Sequence, residues 1–490
     1  MGYVLRIRHL ASGLMALVIM SLSAARAPAQ TAEQLQQDLK AMKTQLDQLQ
    51  QQMKKQEALI NKLSKEKAAS PAAAPVAEVP VRTAPAATSL VAEALPPVVA
   101  TRQQEAWSPT APMRLFGVGG AYMNISFDVL VDAGWSTQQD VPLIETGDHD
   151  PQQRGFTIPN AEVVFDGAVD PYFKGVGNIV YKLDQNGQTS VELEEAYLVT
   201  SSLPWNLQLK VGQQFVEFGR FNPQHPHQWE FVDQNLINGR MFGPDGLRSV
   251  GARLSWLTPT SFYSELLLSV LNSSGESAFS FRNSSDDLFG RPPVDRPVRS
   301  PSDMMWVPRY VASFDLTDSQ TLVAGMSGAF GPNASGSNTS TQIYGVDGFW
   351  KWKPSWQSGG FPFVALQTEG MARHYQAGMA EADPAAGVPI SLPRETLYDY
   401  GFYAQAVYGF TLGWVGGLRG EWVASDEGAF KSDPNREGRV RVSPNLTFYP
   451  TEFSKIRLQY NFDQGQILGD DSSAWLQFEF LLGSHGAHKF

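Results

Sequence analysis

Residues 472–490 read SSAWLQFEFLLGSHGAHKF, and within this run Leu476, Phe478, Phe480 and Leu482 alternate with Gln477 and Glu479. Extended chain sends successive side chains to opposite faces, so one face of the segment is apolar and the other polar. Two architectures produce that pattern. In a soluble sandwich the apolar face packs on a core; in a membrane barrel it faces lipid while the polar face lines a water-filled lumen.

The other end of the chain favours export. Arg6, Arg8 and His9 precede an apolar stretch from Leu10 to about Leu22, and Ala27 and Ala29 then form a small-residue cleavage pattern. Residues 1–29 therefore read as a signal peptide, the apolar stretch being shorter than the roughly twenty residues that span a hydrocarbon core. No later run is apolar for eighteen residues, so any membrane crossing is made by strands. With no cysteine among 490 residues, disulfide frameworks and thiolate chemistry are excluded. The formal charge of −11 argues against a nucleic-acid partner, which would select a basic surface.

Three regions follow. In residues 31–67, Leu35, Leu39, Met42, Leu46, Leu49, Met53, Gln56, Ile60 and Leu63 recur at alternating steps of four and three. Such a narrow heptad seam predicts a coiled coil, which requires at least a second copy of the chain. Residues 68–112 are rich in Ala and Pro without usable period and read as a semi-rigid linker.

From residue 113 to 490 the period becomes two. KIRLQYNFD (455–463) sets Ile456, Leu458, Tyr460 and Phe462 against Arg457, Gln459, Asn461 and Asp463, and LGWVGGLRGEW (412–422) sets Trp414, Leu418 and Trp422 against Arg419 and Glu421. Sixteen candidate strands can be drawn, the first over 115–131 and the last over 473–482. Short links such as VDPY, SSLPWN, LTPTS and LTDSQ alternate with long polar ones near 132–155, 218–246, 272–304, 374–395 and 425–438. A sandwich has no reason to keep that parity, whereas outer-membrane barrels pair tight turns at one end with long loops at the other. The fold expected is an all-β transmembrane barrel of about sixteen antiparallel strands, preceded by the coiled coil and linker.

A barrel that wide encloses an aqueous channel unless something fills it, so passive passage of small hydrophilic solutes or ions is the expected function. The long connection 218–246, FGRFNPQHPHQWEFVDQNLINGRMFGPDG, is the candidate constriction, offering Arg220, His225, His227, Glu230, Asp233, Arg240 and Asp245, with Arg248 just beyond it. Lys210, Arg253, Arg419, Glu421 and Arg457 are candidate lumen residues on strands. His225 with His227, and His485 with His488, lack the acid or thiol spacing of a zinc site, so no metal is expected from spacing along the chain. No cofactor is expected either. GVGGAY (117–122) lacks the following helix of a phosphate-cradling loop, and no nucleophile motif points to an enzyme. The competing reading is a tether or adhesin, with a plugged barrel as anchor and the coiled coil as its working part.

The run LQLKVGQQFVEFGRFNP (207–223), followed by WEFVDQNLINGRMFGPDGLRSVGARLSW (229–256), resembles the central signature of the phosphate-selective porin O and P family. The resemblance implies a trimeric, sixteen-stranded porin in the bacterial outer membrane, with the coiled coil in the periplasm, basic residues along the lumen and an affinity for anions such as phosphate. It also implies that Phe490 serves as the terminal insertion signal. Residues 113–490 nevertheless stay acidic on balance, which sets composition against that selectivity.

Overall fold

The computed structural model describes residues 112–283, 287–382, 390–431 and 433–483. The signal peptide, coiled coil, linker (but for Pro112) and Phe490, with His485 and His488, lie outside them. Among the described residues, sixteen antiparallel strands close into one barrel. No described helix is long and apolar enough to cross a membrane.

A short strand β1 (Met113–Val118) leads in. The first half of the wall is β2 (Ala121–Ser136), β3 (Gly155–Ala168), β4 (Phe173–Leu183), β5 (Thr189–Thr200), β6 (Leu207–Phe215), β7 (Arg248–Leu257), β8 (Tyr263–Leu271) and β9 (Met305–Thr317). β10 (Gln320–Pro332), β11 (Ser340–Trp352) and β12 (Phe363–Ala377) follow. A separate hairpin, β13 (Ala380–Ala382) and β14 (Ile390–Leu392), interrupts the wall. It resumes with β15 (Glu395–Thr411), β16 (Trp414–Ser425), β17 (Arg439–Thr451), β18 (Ser454–Gly465) and β19 (Gly469–Leu482). Each wall strand pairs with the next, and β19 closes on β2 from Ser473 opposite Ser136 to Leu482 opposite Phe127. Closure leaves the wall without an unpaired strand edge between β19 and β2.

The first strand differs from expectation. A turn at Gly119, where φ is +62°, splits the 115–131 segment, and the wall strand β2 starts at Ala121 and runs on to Ser136. β1 pairs back on β2 from Met113 opposite Ile125 to Val118 opposite Ala121, and so extends the edge where β19 stops. The inward Asp132 keeps the alternation of Asn124, Ser126 and Asp128, and the strand runs on past it through the side-chain-free Gly134. Other bounds move by a few residues, and the expected loop 374–395 holds the end of β12 and the β13–β14 hairpin.

The alternation read from sequence is an inside-out barrel. Leu458 is 55% exposed on the outside, whereas its neighbours Arg457 and Gln459 are 1% and 0% exposed inside. Phe478, Phe480, Leu418 and Trp422 likewise face out, while Gln477, Glu479, Arg419 and Glu421 face in. Connections at one end, such as 318–319, 412–413 and 452–453, are tight; those at the other include 137–154, 216–247 and 272–304.

Candidate functional site

An inward polar face would normally be wet, yet Arg419, Arg441 and Arg457 are each 1% exposed. The connection 216–247 covers them, because it folds into the barrel rather than over its mouth. Its neck is tied by Asn222, whose Nδ2 donates to the carbonyls of Val216 at 2.8 Å and Leu247 at 2.9 Å. Asn222 Oδ1 accepts from Leu247 N at 2.7 Å. One side chain thereby satisfies Leu247 N and adds a second bond to each of two carbonyls that also accept from the backbone, Val216 O from Phe218 N at 2.7 Å and Leu247 O from Val216 N at 3.0 Å.

Beyond the neck the loop turns on Gly219, where φ is +62° and a Cβ would fall 2.0 Å from Glu369 Oε2. Only glycine permits both the left-handed backbone and that approach. Glu369 of β12 then accepts from Phe221 N at 2.7 Å and from the Tyr403 hydroxyl at 2.8 Å. Phe218 packs where Gly345 of β11 has no side chain, and joins Phe242, Ile237, Met241 and Val423 in an apolar cluster inside the barrel. A seven-residue helix α1 (Leu236–Phe242) completes the loop, capped by Asn235, whose Oδ1 accepts from Asn238 N at 2.9 Å, and stopped by Gly243.

On the β16–β18 side the loop is held by ions. Asp233 accepts from Arg419 Nη2 at 2.6 Å, Gln459 Nε2 at 2.7 Å and Asn461 Nδ2 at 2.9 Å, and it also pairs with Arg441. Burial alone would raise the Asp233 carboxyl; Arg419 and Arg441 outweigh it and hold the group well below the usual range. Arg457 donates to the carbonyls of Phe231 and Trp229, both at 2.9 Å, and Glu421 accepts from Leu236 N at 2.6 Å. A second connection, 137–154, adds Glu145, 2.6 Å from Arg441 Nη1. Burial pushes the Glu145 carboxyl up to about 7; Arg441 opposes that shift, and Asp233 and Asp463 reinforce it.

Past the β19–β2 closure, against β2, β3 and β5, sit the two histidines. β5 carries a bulge against β4, Asn178 pairing with Glu195 and Ile179 with Leu193, so that Glu194 and Glu195 both point inward. His225 meets Glu194 Oε2 at 2.9 Å through Nδ1 and Glu195 Oε2 at 3.2 Å through Nε2. His227 Nδ1 lies 3.3 Å from Asp128 Oδ2 and 3.4 Å from Glu162 Oε2, and its ring stacks on His225 with centroids 5.6 Å apart. Burial would lower both imidazoles, but these carboxylates hold His225 well above its ordinary range and push His227 up to about 9. The acids that spacing along the chain does not offer come from β2, β3 and β5.

The remaining nominated residues are dispersed rather than ringed. Arg220 stacks over Phe349 at 3.9 Å and donates to Gln367 Oε1 at 3.2 Å. Lys210 and Arg253 share Glu217 at 3.4 Å and 2.8 Å. Arg240 donates to the Glu437 carbonyl at 2.7 Å. Arg248 pairs with Glu192, which also meets Lys182, and Asp245 lies 3.8 Å from that lysine beside a recess of 680 Å³. Glu230 offers its carbonyl to Asn445 Nδ2 at 2.7 Å. Sequence reasoning passed over Arg441, Glu145 and the four carboxylates around the histidines. Of these, alternation along β17 and β2 could have found Arg441 and Asp128.

No family model matches the chain. Over 364 residues, 69% of this chain and 71% of the other, it is 31% identical to an uncharacterized protein of Aquifex aeolicus (strain VF5), and it belongs to one family with that protein. Among solved structures it is similar to the outer membrane channel DcaP of Acinetobacter baumannii, at 15% identity and a TM-score of 0.49 over 75% of this chain and 99% of that one. It is also similar to an anion-selective porin from Comamonas acidovorans, at 6% identity and a TM-score of 0.46 over 74% of this chain and all of the other.

Proposed function

We propose that the chain is a channel in the bacterial outer membrane, through which small hydrophilic solutes diffuse passively past the 216–247 loop. One observation carries this reading: the wall is apolar outside and charged inside over sixteen strands, a width that encloses water unless it is filled. The work required of it is that of a conduit rather than an enzyme. The tight-turn end faces the periplasm, where the heptads of residues 31–67 would join copies into a trimer.

The wall arginines bear on selectivity. Arg419, Arg441 and Arg457 spend donors on the two inserted connections, and Lys210 and Arg253 are set against Glu217 of the 216–247 loop, so a passing ion meets basic side chains that already have carboxylate or carbonyl partners. A mixed set of that kind supports weak selectivity, against the phosphate preference implied by the family resemblance. A second reading has its own support. The loop bonds to the wall at β3, β5, β10, β12 and β16–β18, a span that suits a plugged barrel serving as anchor.

Conductance of the full-length protein in a planar bilayer, with reversal potential under a salt gradient, tests the proposal. Steady conductance with a small reversal potential is expected. Strong anion selectivity lost in Arg253→Ala would restore the phosphate reading, and no conductance with the loop either intact or deleted would leave the anchor.

A further inference from the structure

The cluster around His225 and His227 is not needed for a conduit, and its composition is unusual for a lumen. Three histidines, His149, His225 and His227, gather with Asp128, Glu162, Glu194 and Glu195, and all seven are buried. Loop ion pairs elsewhere in the barrel set arginine or lysine against carboxylate. Here the partners are imidazole and carboxylate, the ligand set of zinc and related divalent ions.

The spacing matches as well. Bonds of about 2.0–2.1 Å to imidazole nitrogen and carboxylate oxygen, in tetrahedral geometry, place neighbouring ligand atoms roughly 3.3–3.4 Å apart. His227 Nδ1 stands 3.3 Å from Asp128 Oδ2 and 3.4 Å from Glu162 Oε2. Asp128 is 5% exposed, and beyond this approach of His227 neither of its oxygens meets a donor at hydrogen-bond geometry. The other oxygen of Glu162, Oε1, lies 3.7 Å from His225 Nδ1 and accepts from Asn178 Nδ2 at 2.8 Å, and the same amide donates to Glu194 Oε2 at 2.6 Å. Asn178 thus ties Glu162 to His225 and Glu194 and fixes the carboxylate with Oε2 turned toward His227. The His227 ring lies flat against His225, and its backbone is fixed by Lys455 Nζ, which donates to the His227 carbonyl at 2.9 Å.

We propose that Asp128, Glu162 and His227 bind a divalent transition-metal cation of the zinc class, with Glu162 held from behind by Asn178. Two ligands come from the wall strands β2 and β3 and one from the inserted loop, so the ion staples the loop to the wall. His149 and Glu195 lie one residue further out, on Glu194 and His225 respectively. The site stands whether the barrel conducts or is plugged.

Untagged full-length protein in detergent, stripped of metal and titrated with zinc against a chromophoric chelator, tests this. Saturable binding of at least one zinc per chain is expected. His227→Ala and Glu162→Gln should each weaken it by roughly tenfold or more, while His374→Ala, on β12 between Tyr344 and Tyr398, should leave it unchanged. Binding unaffected by Glu162→Gln and His227→Ala overturns the proposal. Cobalt(II) added to the stripped wild-type protein gives a readout that needs no variant to fold: intense visible bands of a tetrahedral ion support the site, and their absence overturns it.

Discussion

Arg419 on the barrel wall grips Asp233 in the inserted loop twice, donating from Nη1 to the carbonyl at 2.9 Å and from Nη2 to Oδ1 at 2.6 Å. The pair is almost fully buried, at 1% and 0% side-chain exposure. Inside a barrel this geometry turns a charge that could attract ions into one that holds a polypeptide, and the difference lies wholly in what has folded against it.

Asp233→Ala should therefore cost about 3–5 kcal/mol, because Arg419 and Arg441 keep their buried charge and lose a shared partner. Thermal unfolding of the folded barrel measures the loss. Faster proteolysis within 216–247 and a raised channel conductance should accompany it, and an unchanged loop would show that the apolar cluster alone retains it.

Gly219→Ala tests the neck of the loop. The left-handed backbone costs an alanine roughly 1–2 kcal/mol, and its methyl would displace Glu369 from Phe221 N and Tyr403, at about 1–3 kcal/mol for a stranded polar group. A lowered unfolding temperature with an altered conductance is expected, whereas Gly420→Ala, where a Cβ meets open space, should be nearly silent.

The apolar outer face tests the proposed membrane location. Leu458→Arg puts a charge at mid-strand on the apolar side and should cost about 2–4 kcal/mol when the protein is folded into bilayers. Leu458→Ile should be tolerated. Equal folding yields for the two would argue that this face does not meet hydrocarbon.

Glu145 gives the fold a pH dependence of definite sign. Burial raises its carboxyl to about 7 in the folded protein, above the ordinary value of 4.5, so its contribution is fully present below about 4.5 and lost as pH rises through about 7. Wild-type protein should resist unfolding better at pH 5 than at pH 8. Glu145→Gln, which mimics the protonated acid, should flatten that difference; a difference of equal size in the variant would assign it to other groups.

What the sequence determined by itself is the wall. Alternation at period two is a local property of extended chain, so the apolar outer side of β18, the inward Arg457 and the parity of long and short connections are all legible without coordinates. The first strand misled because Gly119 turns the chain within a run that otherwise alternates. Only the tertiary structure decided what the inward charges do. Asp233 lies 208 positions from Arg441, and Asp128, Glu162 and His227 come from two strands and a loop, so no spacing along the chain announces them. The bulge that turns both Glu194 and Glu195 inward reverses the parity on which a strand reading depends. Pairing across a closed barrel is set by register and by the loop's own packing, and both are long-range quantities that a local pattern does not encode.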